Sequence, residues 1–276
     1  MPGKVPEPLT PQTRSFYCDV IDRLNAAGAP FMVGGAYALA PYTGIERHTK
    51  DFDIFVRRRD YERVMAVLQA RGCATELTFP HWLGKAFCGD DFIDVIFSSG
   101  NAIAAVDDEW LAHAVPAQVF DRPVKLCAPE EIIWSKSFIM ERERFDGADI
   151  MHLLRARAAR LDWERLLRRF NSNWRVLLMH VIAFGYVYPA ERATIPQWVM
   201  DELLARLQRE QHSPAPVDKT CRGTILSREQ YLIDIHKWGY TDPRLTPHGG
   251  MTPQEIAHWT DAIESFTLPW SGAPRT

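Results

Sequence analysis

Apolar residues recur at helical spacing over residues 14–26, where Phe16, Val20, Ile21 and Leu24 share one face and Gly28 ends the run. Residues 30–33 form a short apolar strand that meets Gly34-Gly35, and a helix over 36–40 opens on those glycines. A second strand, 52–56, lies between aspartates and Arg57-Arg58-Arg59. Asp60 is placed to cap a helix whose apolar face is Tyr61, Val64, Met65, Val67 and Leu68, with Gly72 as its stop. Strands follow at 74–79, 85–88 and 92–97, the last two joined at a Gly89-Asp90 turn. Residues 118–127 predict another hairpin, turned at Asp121-Arg122-Pro123. From Pro129 the texture becomes helical, over 129–144, 146–159, 162–170, 173–188, 196–210, 227–237 and 252–266. Ser227 and Gln230 have the spacing of a capping box. The pattern predicts an α+β fold, a mixed β-sheet with flanking helices followed by an all-helical C-terminal part. The boundary falls near residue 128, giving a core domain at 1–128 and a helical domain at 129–276.

The 276 residues are 46% hydrophobic and 24% charged, the balance of a chain that can bury a core. A net charge of −3 supplies no global basic field for nucleic acid. The longest apolar run, 176–188, contains His180, is too short for a bilayer and reads as a buried helix. Trp174, Tyr186, Tyr188, Trp198, Trp238 and Tyr240 are expected mostly in the helical core or on the wall of an acceptor pocket. The five cysteines are scattered without a C-x-x-C pair, so reduced thiols and a cytoplasmic location are the simplest expectation.

Chemistry concentrates around Arg47-His48-Thr49-Lys50-Asp51-Phe52-Asp53. In a strand, residues i and i+2 face the same way, so Asp51 and Asp53 project together. At about 5 Å and an effective dielectric of roughly 20, two such charges repel by on the order of 3 kcal/mol. A divalent cation between them removes that conflict, and Mg²⁺ binds through one or two carboxylates plus substrate phosphates. Asp94 is a third acid, set alone in an apolar strand, where it must be paired, liganded or protonated. If its strand neighbours the first, the three acids converge on a phosphoryl-transfer metal site. Two glycines at a strand-to-helix junction let backbone amides approach a phosphate. Arg47, Thr49 and Lys50 could add phosphate contacts. The alternatives are a solvated strand end, or pairing with Arg57–Arg59, for Asp51 and Asp53, and a partner Arg or Lys for Asp94.

Gly34, Gly35, Asp51, Asp53 and Asp94 together resemble the nucleotidyltransferase superfamily of DNA polymerase β. The stretch from Arg47 to Asp53 is similar to small bacterial members, the lincosamide-modifying enzymes and the toxins of AbiE-type systems. Pro129-Glu130-Glu131, Lys136, Arg142 or Arg144, and Asp149-Ile150 extend the resemblance over about residues 30–155. It implies a nucleotidyltransferase fold and transfer of a nucleoside monophosphate from an NTP to an acceptor hydroxyl. It further implies Mg²⁺ or Mn²⁺ on Asp51, Asp53 and Asp94, and Lys136 on the triphosphate. The alternative for Lys136 is an ion pair with Glu131 or Asp149. The acceptor is a small molecule such as an antibiotic, a tRNA or a protein. A non-catalytic nucleotide-binding or toxin–antitoxin interaction module is the competing reading.

Two peripheral features complete the picture. His81-Trp82 lies on a loop that could overhang the site. The arginines at 155, 157, 160, 165, 168 and 169 make a helix surface or an RNA-backbone patch. No Walker A, Rossmann, H-E-x-x-H or G-x-S-x-G pattern occurs.

Overall fold

The computed structural model describes residues 9–47 and 51–263. Helix α1 (Pro11–Ala26) starts where Thr10 accepts the Thr13 amide through its side chain, with proline in the first turn. It buries Phe16, Tyr17, Val20, Ile21 and Leu24. Strand β1 (Met32–Val33) runs into α2 (Gly35–Thr43), and β2 (Phe52–Phe55) alternates buried Phe52 and Ile54 with half-buried Asp53 and Phe55. After α3 (Tyr61–Ala70) come β3 (Ala74–Phe79), β4 (Leu83–Cys88) and β5 (Asp91–Ile96). A short α4 (Asp108–His113) precedes the hairpin of β6 (Val115–Val119) and β7 (Arg122–Leu126).

Every later element is helical: α5 (Pro129–Lys136), α6 (Gly147–Arg157), α7 (Trp163–Phe170), α8 (Trp174–Val187) and α9 (Gln197–Gln211). Then follow α10 (Gly223–Leu226), α11 (Leu232–His236) and α12 (Pro253–Asp261). The seven strands form one mixed sheet, ordered β3-β4-β5-β2-β1-β7-β6. β2 pairs with β5 in parallel and with β1 antiparallel, and β1 pairs with β7 in parallel. The α+β expectation holds. A continuous hydrophobic core runs from Phe16 to Ile225, on both sides of residue 128. Among the described residues no helix is long and apolar enough to cross a membrane.

The departures from the sequence reading have physical causes. α5 ends at Lys136 rather than near 144, because the chain folds back through a Met140–Phe145 bridge and the Met140 amide donates to the Leu226 carbonyl. α4 was not foreseen: six residues are too few to show periodicity. Asp107 caps it, and Trp110 is fully buried. The Asp60 carboxylate takes the Arg57 guanidinium at 2.5 Å instead of capping α3. The full capping box forms at Thr252 and Glu255; at Ser227 and Gln230 only half of it forms, the Gln230 amide donating to Ser227 Oγ at 3.3 Å.

Helix α8 is only half buried: Leu177, His180, Val181 and Phe184 face inward, while Met179, Ile182, Tyr186 and Val187 face out. Tyr186, Trp198, Trp238 and Tyr240 are exposed, contrary to the expected helical core. Cys73 and Cys88 form a disulfide, correcting the expectation of reduced thiols. Ala74 pairs with Phe87 across β3 and β4, and that register brings the two sulfurs together. Cysteine chemistry therefore lends no support to a reducing compartment.

Candidate active site

The short strands at the middle of the sheet set the site's geometry. β2 and β5 are in register, so Asp53 is the direct neighbour of Asp94, one strand away and on the same face. Gly34 and Gly35 stand at the end of β1, and the Gly34 amide donates to the Asp53 carbonyl at 3.0 Å. Gly35 has φ +53°, and a Cβ there would lie 1.9 Å from Asp53 Oδ2. A glycine is required at that position both for its backbone and for the carboxylate packed over it.

One cavity of about 290 Å³ is lined by Gly34, Gly35, Asp51, Asp53, Asp94 and Lys136. Its remaining wall includes Trp82, Trp110, Arg144, Arg228 and Trp259. The aspartates are under strain of charge. Burial pushes the Asp53 carboxyl up to about 7, assisted by Asp94 and Asp51 and opposed by Lys136 and Arg144. Burial also raises Asp94, against the pull of Lys85. The Tyr37 hydroxyl on α2 is pushed up to about 12, by burial first and then by the charges of Asp53 and Asp51. In all three groups burial is the largest cause, and the charge of Asp51 adds to each.

The charge is partly answered from within. Lys85 Nζ donates to Asp94 Oδ1 at 2.7 Å and lies 4.5 Å from the Phe92 ring centre. Asp94 therefore has the partner lysine that its lone position in an apolar strand left open. The pairing of Asp51 and Asp53 with Arg57–Arg59 is not what those arginines do. Arg57 pairs with Asp60 and Asp108, Arg59 with Asp108, and Arg58 with Glu62.

The proposed phosphate contacts divide. Lys136 lines the cavity, but its ammonium is held by Asp146 at 2.5 Å and Asp149 at 2.9 Å. The expected partner Asp149 is found; Glu131 instead binds Arg165 at 2.8 Å and Arg169 at 3.2 Å. Arg47 pairs with Asp149 at 2.5 Å and lies in a separate small depression with Leu39, Thr43 and His152, not in the main cavity. Thr49 and Lys50, with His48, lie outside the described residues.

Would these side chains suit a divalent ion? The donor set is oxygen only, with an uncompensated carboxylate at its centre, which is the chemistry Mg²⁺ or Mn²⁺ requires. Among the described residues, however, no group of three or more histidine, cysteine, aspartate or glutamate side chains is placed to hold a metal. The fit is to a site that draws one or two carboxylates from the protein and the rest of its shell from substrate phosphates.

Sequence reasoning missed Lys85, Arg228 and Trp259, and gave Arg144 no place in the site. Lys85 was within reach: a two-residue turn at Gly89-Asp90 sets Cys88 opposite Asp91 and hence Lys85 opposite Asp94. Arg144, which entered only as one of two arginines carrying the resemblance, lines the cavity and makes two 2.8 Å bonds to Asp146. Arg228 and Trp259 arrive by long-range packing. Arg228 bonds Glu141 at 3.0 Å and stacks on Trp259 at 5.2 Å. The arginine cluster is largely consumed inside the chain: Arg155 by Glu191, Arg157 by the Tyr42 carbonyl, Arg165 by Glu130 and Glu131, and Arg168 and Arg169 by Glu109.

No family model matches the chain, and no curated protein matches it. Among solved structures the fold is similar to that of nucleotidyltransferases. The antibiotic-resistance factor ANT(2'')-Ia matches at 14% identity and TM-score 0.41, over 74% of this chain and 99% of that one. The lincosamide antibiotic adenylyltransferase LnuA, solved with lincomycin bound, matches at 16% identity and TM-score 0.37, over 52% and 96%. A nucleotidyltransferase-like protein from Paracoccidioides brasiliensis matches at 14% and 0.40, over 66% and 91%. Likenesses this distant carry no argument about the substrate or chemistry of this chain.

Proposed function

We propose that this protein is a metal-dependent nucleotidyltransferase, moving a nucleoside monophosphate from an NTP to an acceptor hydroxyl. The observation that carries the reading is the juxtaposition of Asp53, in register with Asp94, and Gly34-Gly35 at the start of α2, all on one cavity. Asp51 and Asp53 would hold Mg²⁺ or Mn²⁺, which when bound supplies positive charge to the triphosphate. Gly34 and Gly35 present the backbone of a helix start to a phosphate, without a Cβ in the way. Lys136 and Arg144, paired with Asp146, also line the cavity and oppose the rise of the Asp53 carboxyl. Asp94, raised by burial and steadied by Lys85, takes the proton from the attacking hydroxyl. The acceptor oxygen bonds to the α-phosphorus, the bond to the bridging oxygen breaks, and pyrophosphate leaves. Positioning and charge neutralisation account for most of the rate.

The cavity, lined also by Trp82, Trp259 and Arg228, suits an acceptor of small-molecule size. The internal pairing of the arginine cluster leaves little of it for an RNA backbone. The test is incubation with each α-³²P-labelled NTP, Mg²⁺ and two acceptor pools, hydroxylated antibiotics and bulk RNA. Label on a small molecule with matching pyrophosphate release is expected. Label on RNA would reassign the acceptor. Nucleotide binding without pyrophosphate from either pool would instead mark a non-catalytic nucleotide-binding module.

A further inference from the structure

Across the sheet, three residues stand side by side in register: Lys85 on β4, Asp94 on β5 and Asp53 on β2. Register neighbours share a face, so an ammonium and two carboxylates form one row, of which Asp94 and Asp53 line the cavity and Lys85 reaches it through Asp94. The lysine is not a loose surface group. Its side chain is 24% exposed, its ammonium rests 2.7 Å from Asp94 Oδ1, and the Phe92 ring supports it from the side. A divalent ion bound to that same carboxylate would sit within a few ångströms of a fixed positive charge.

We infer that Lys85 is a resident cation that stands in for a second divalent ion at Asp94, leaving a single metal position at Asp51 and Asp53. The inference rests on the proposed metal site and deepens it. Lys85 is a positioning residue: it acts through Asp94, holding the carboxylate in line with Asp53 and answering part of the cluster's charge. Without the lysine, the Asp94 side of the row regains an uncompensated carboxylate and becomes able to take a second ion.

The experiment counts bound Mn²⁺ by the electron paramagnetic resonance of the free ion, using Mn²⁺ alone as the probe. Wild type should bind one ion per chain, Lys85→Met and Lys85→Gln two, and Lys85→Arg one, since it keeps the charge. Circular dichroism melts establish that each variant is folded, and the wild-type count stands by itself if a neutral variant is not. Two ions in wild type would overturn the inference, as would an unchanged count of one in a folded Lys85→Met or Lys85→Gln. Asp53→Asn separates the two levels. One ion in wild type, lost in Asp53→Asn, upholds the metal site whatever the lysine does. No ion in any variant, with Mn²⁺ alone or with inorganic triphosphate added, would remove the metal site and the lysine's role with it.

Discussion

Asp53 in the sheet and Asp242 in the turn after α11 are both withdrawn from water, yet their carboxyls end up shifted in opposite directions. Burial pushes both upward. For Asp242 that push is outweighed by Arg244, which contributes its side chain, its backbone amide and its charge, with the Thr224 hydroxyl adding a bond at 2.9 Å. The result lies below the ordinary carboxylate range. Arg244 is 1% exposed and Asp242 4%, and both oxygens of the Asp242 carboxylate accept from Arg244. Among the described residues no donor bonds the Asp53 carboxylate, and the charges of two further acids outweigh those of Lys136 and Arg144 on it. A carboxylate whose partners are all supplied by the chain is a structural joint. One left with a deficit of positive charge is built for a partner from outside.

The comparison can be broken from either side. Asp242→Ala leaves Arg244 buried without its counter-charge, and should destabilise the fold by about 3–5 kcal/mol in chemical denaturation. Nucleotide binding by the folded fraction should be retained. Asp53→Asn is expected to behave oppositely. Turnover, read as pyrophosphate release, should fall about 100- to 1,000-fold, the scale seen when one preorganised electrostatic group is lost. Its melting temperature should stay level or rise, since an ill-compensated charge has been removed. A large destabilisation in Asp53→Asn would place Asp53 with Asp242 as a structural acid.

Gly35→Ala sharpens the point at the backbone. The new methyl would collide with Asp53 Oδ2 and must adopt a positive φ. Strain of that kind costs about 1–3 kcal/mol, and the displaced carboxylate should also abolish any Mg²⁺-dependent nucleotide effect on melting. A Gly35→Ala protein with normal nucleotide response would mean that the close packing there is incidental.

The smallest effect is in acid. The folded-state value of Asp242 lies below the unfolded one, so its contribution is present above about pH 4 and is lost as pH falls through the folded value. Asp242→Asn should therefore flatten the acid limb of the stability curve below about pH 4, measured by urea denaturation at stepped pH. An acid limb identical to wild type would show that the Arg244 pairing does not hold the carboxyl down.

Much of this site was legible before any coordinates, and the reason is local. Alternation in β2 fixes which way Asp53 points, and Asp94 announced itself as an acid amid Ile93, Val95 and Ile96. Gly34-Gly35 before a helix is a short-range signal too. Groups that depend on distant pairing were harder. Lys85 needed the hairpin register, which the Gly89-Asp90 turn encodes and counting would have recovered. The attachment of Arg47 to Asp149 and the arrival of Arg228 and Trp259 at the cavity depend on helices packed across the chain, and no periodicity carries that. Saturation of Asp242 by Arg244, two residues away, was equally invisible. An Asp-x-Arg spacing is common, and only burial makes the pair matter. The exposed Tyr186 and Trp198 show the reverse error, in which hydrophobicity suggested a core position that the packing of α8 and α9 leaves open.

The most direct test of the account is thermal unfolding of wild type and Asp53→Asn with each of the four ribonucleoside triphosphates, with and without Mg²⁺. At about 100 times its dissociation constant, the bound nucleotide should stabilise the native state by roughly 2.7 kcal/mol. The account expects that gain with at least one triphosphate, only when Mg²⁺ is present, and not in Asp53→Asn. A gain that ignores Mg²⁺ or survives in the variant would contradict it, as would no gain with any of the four.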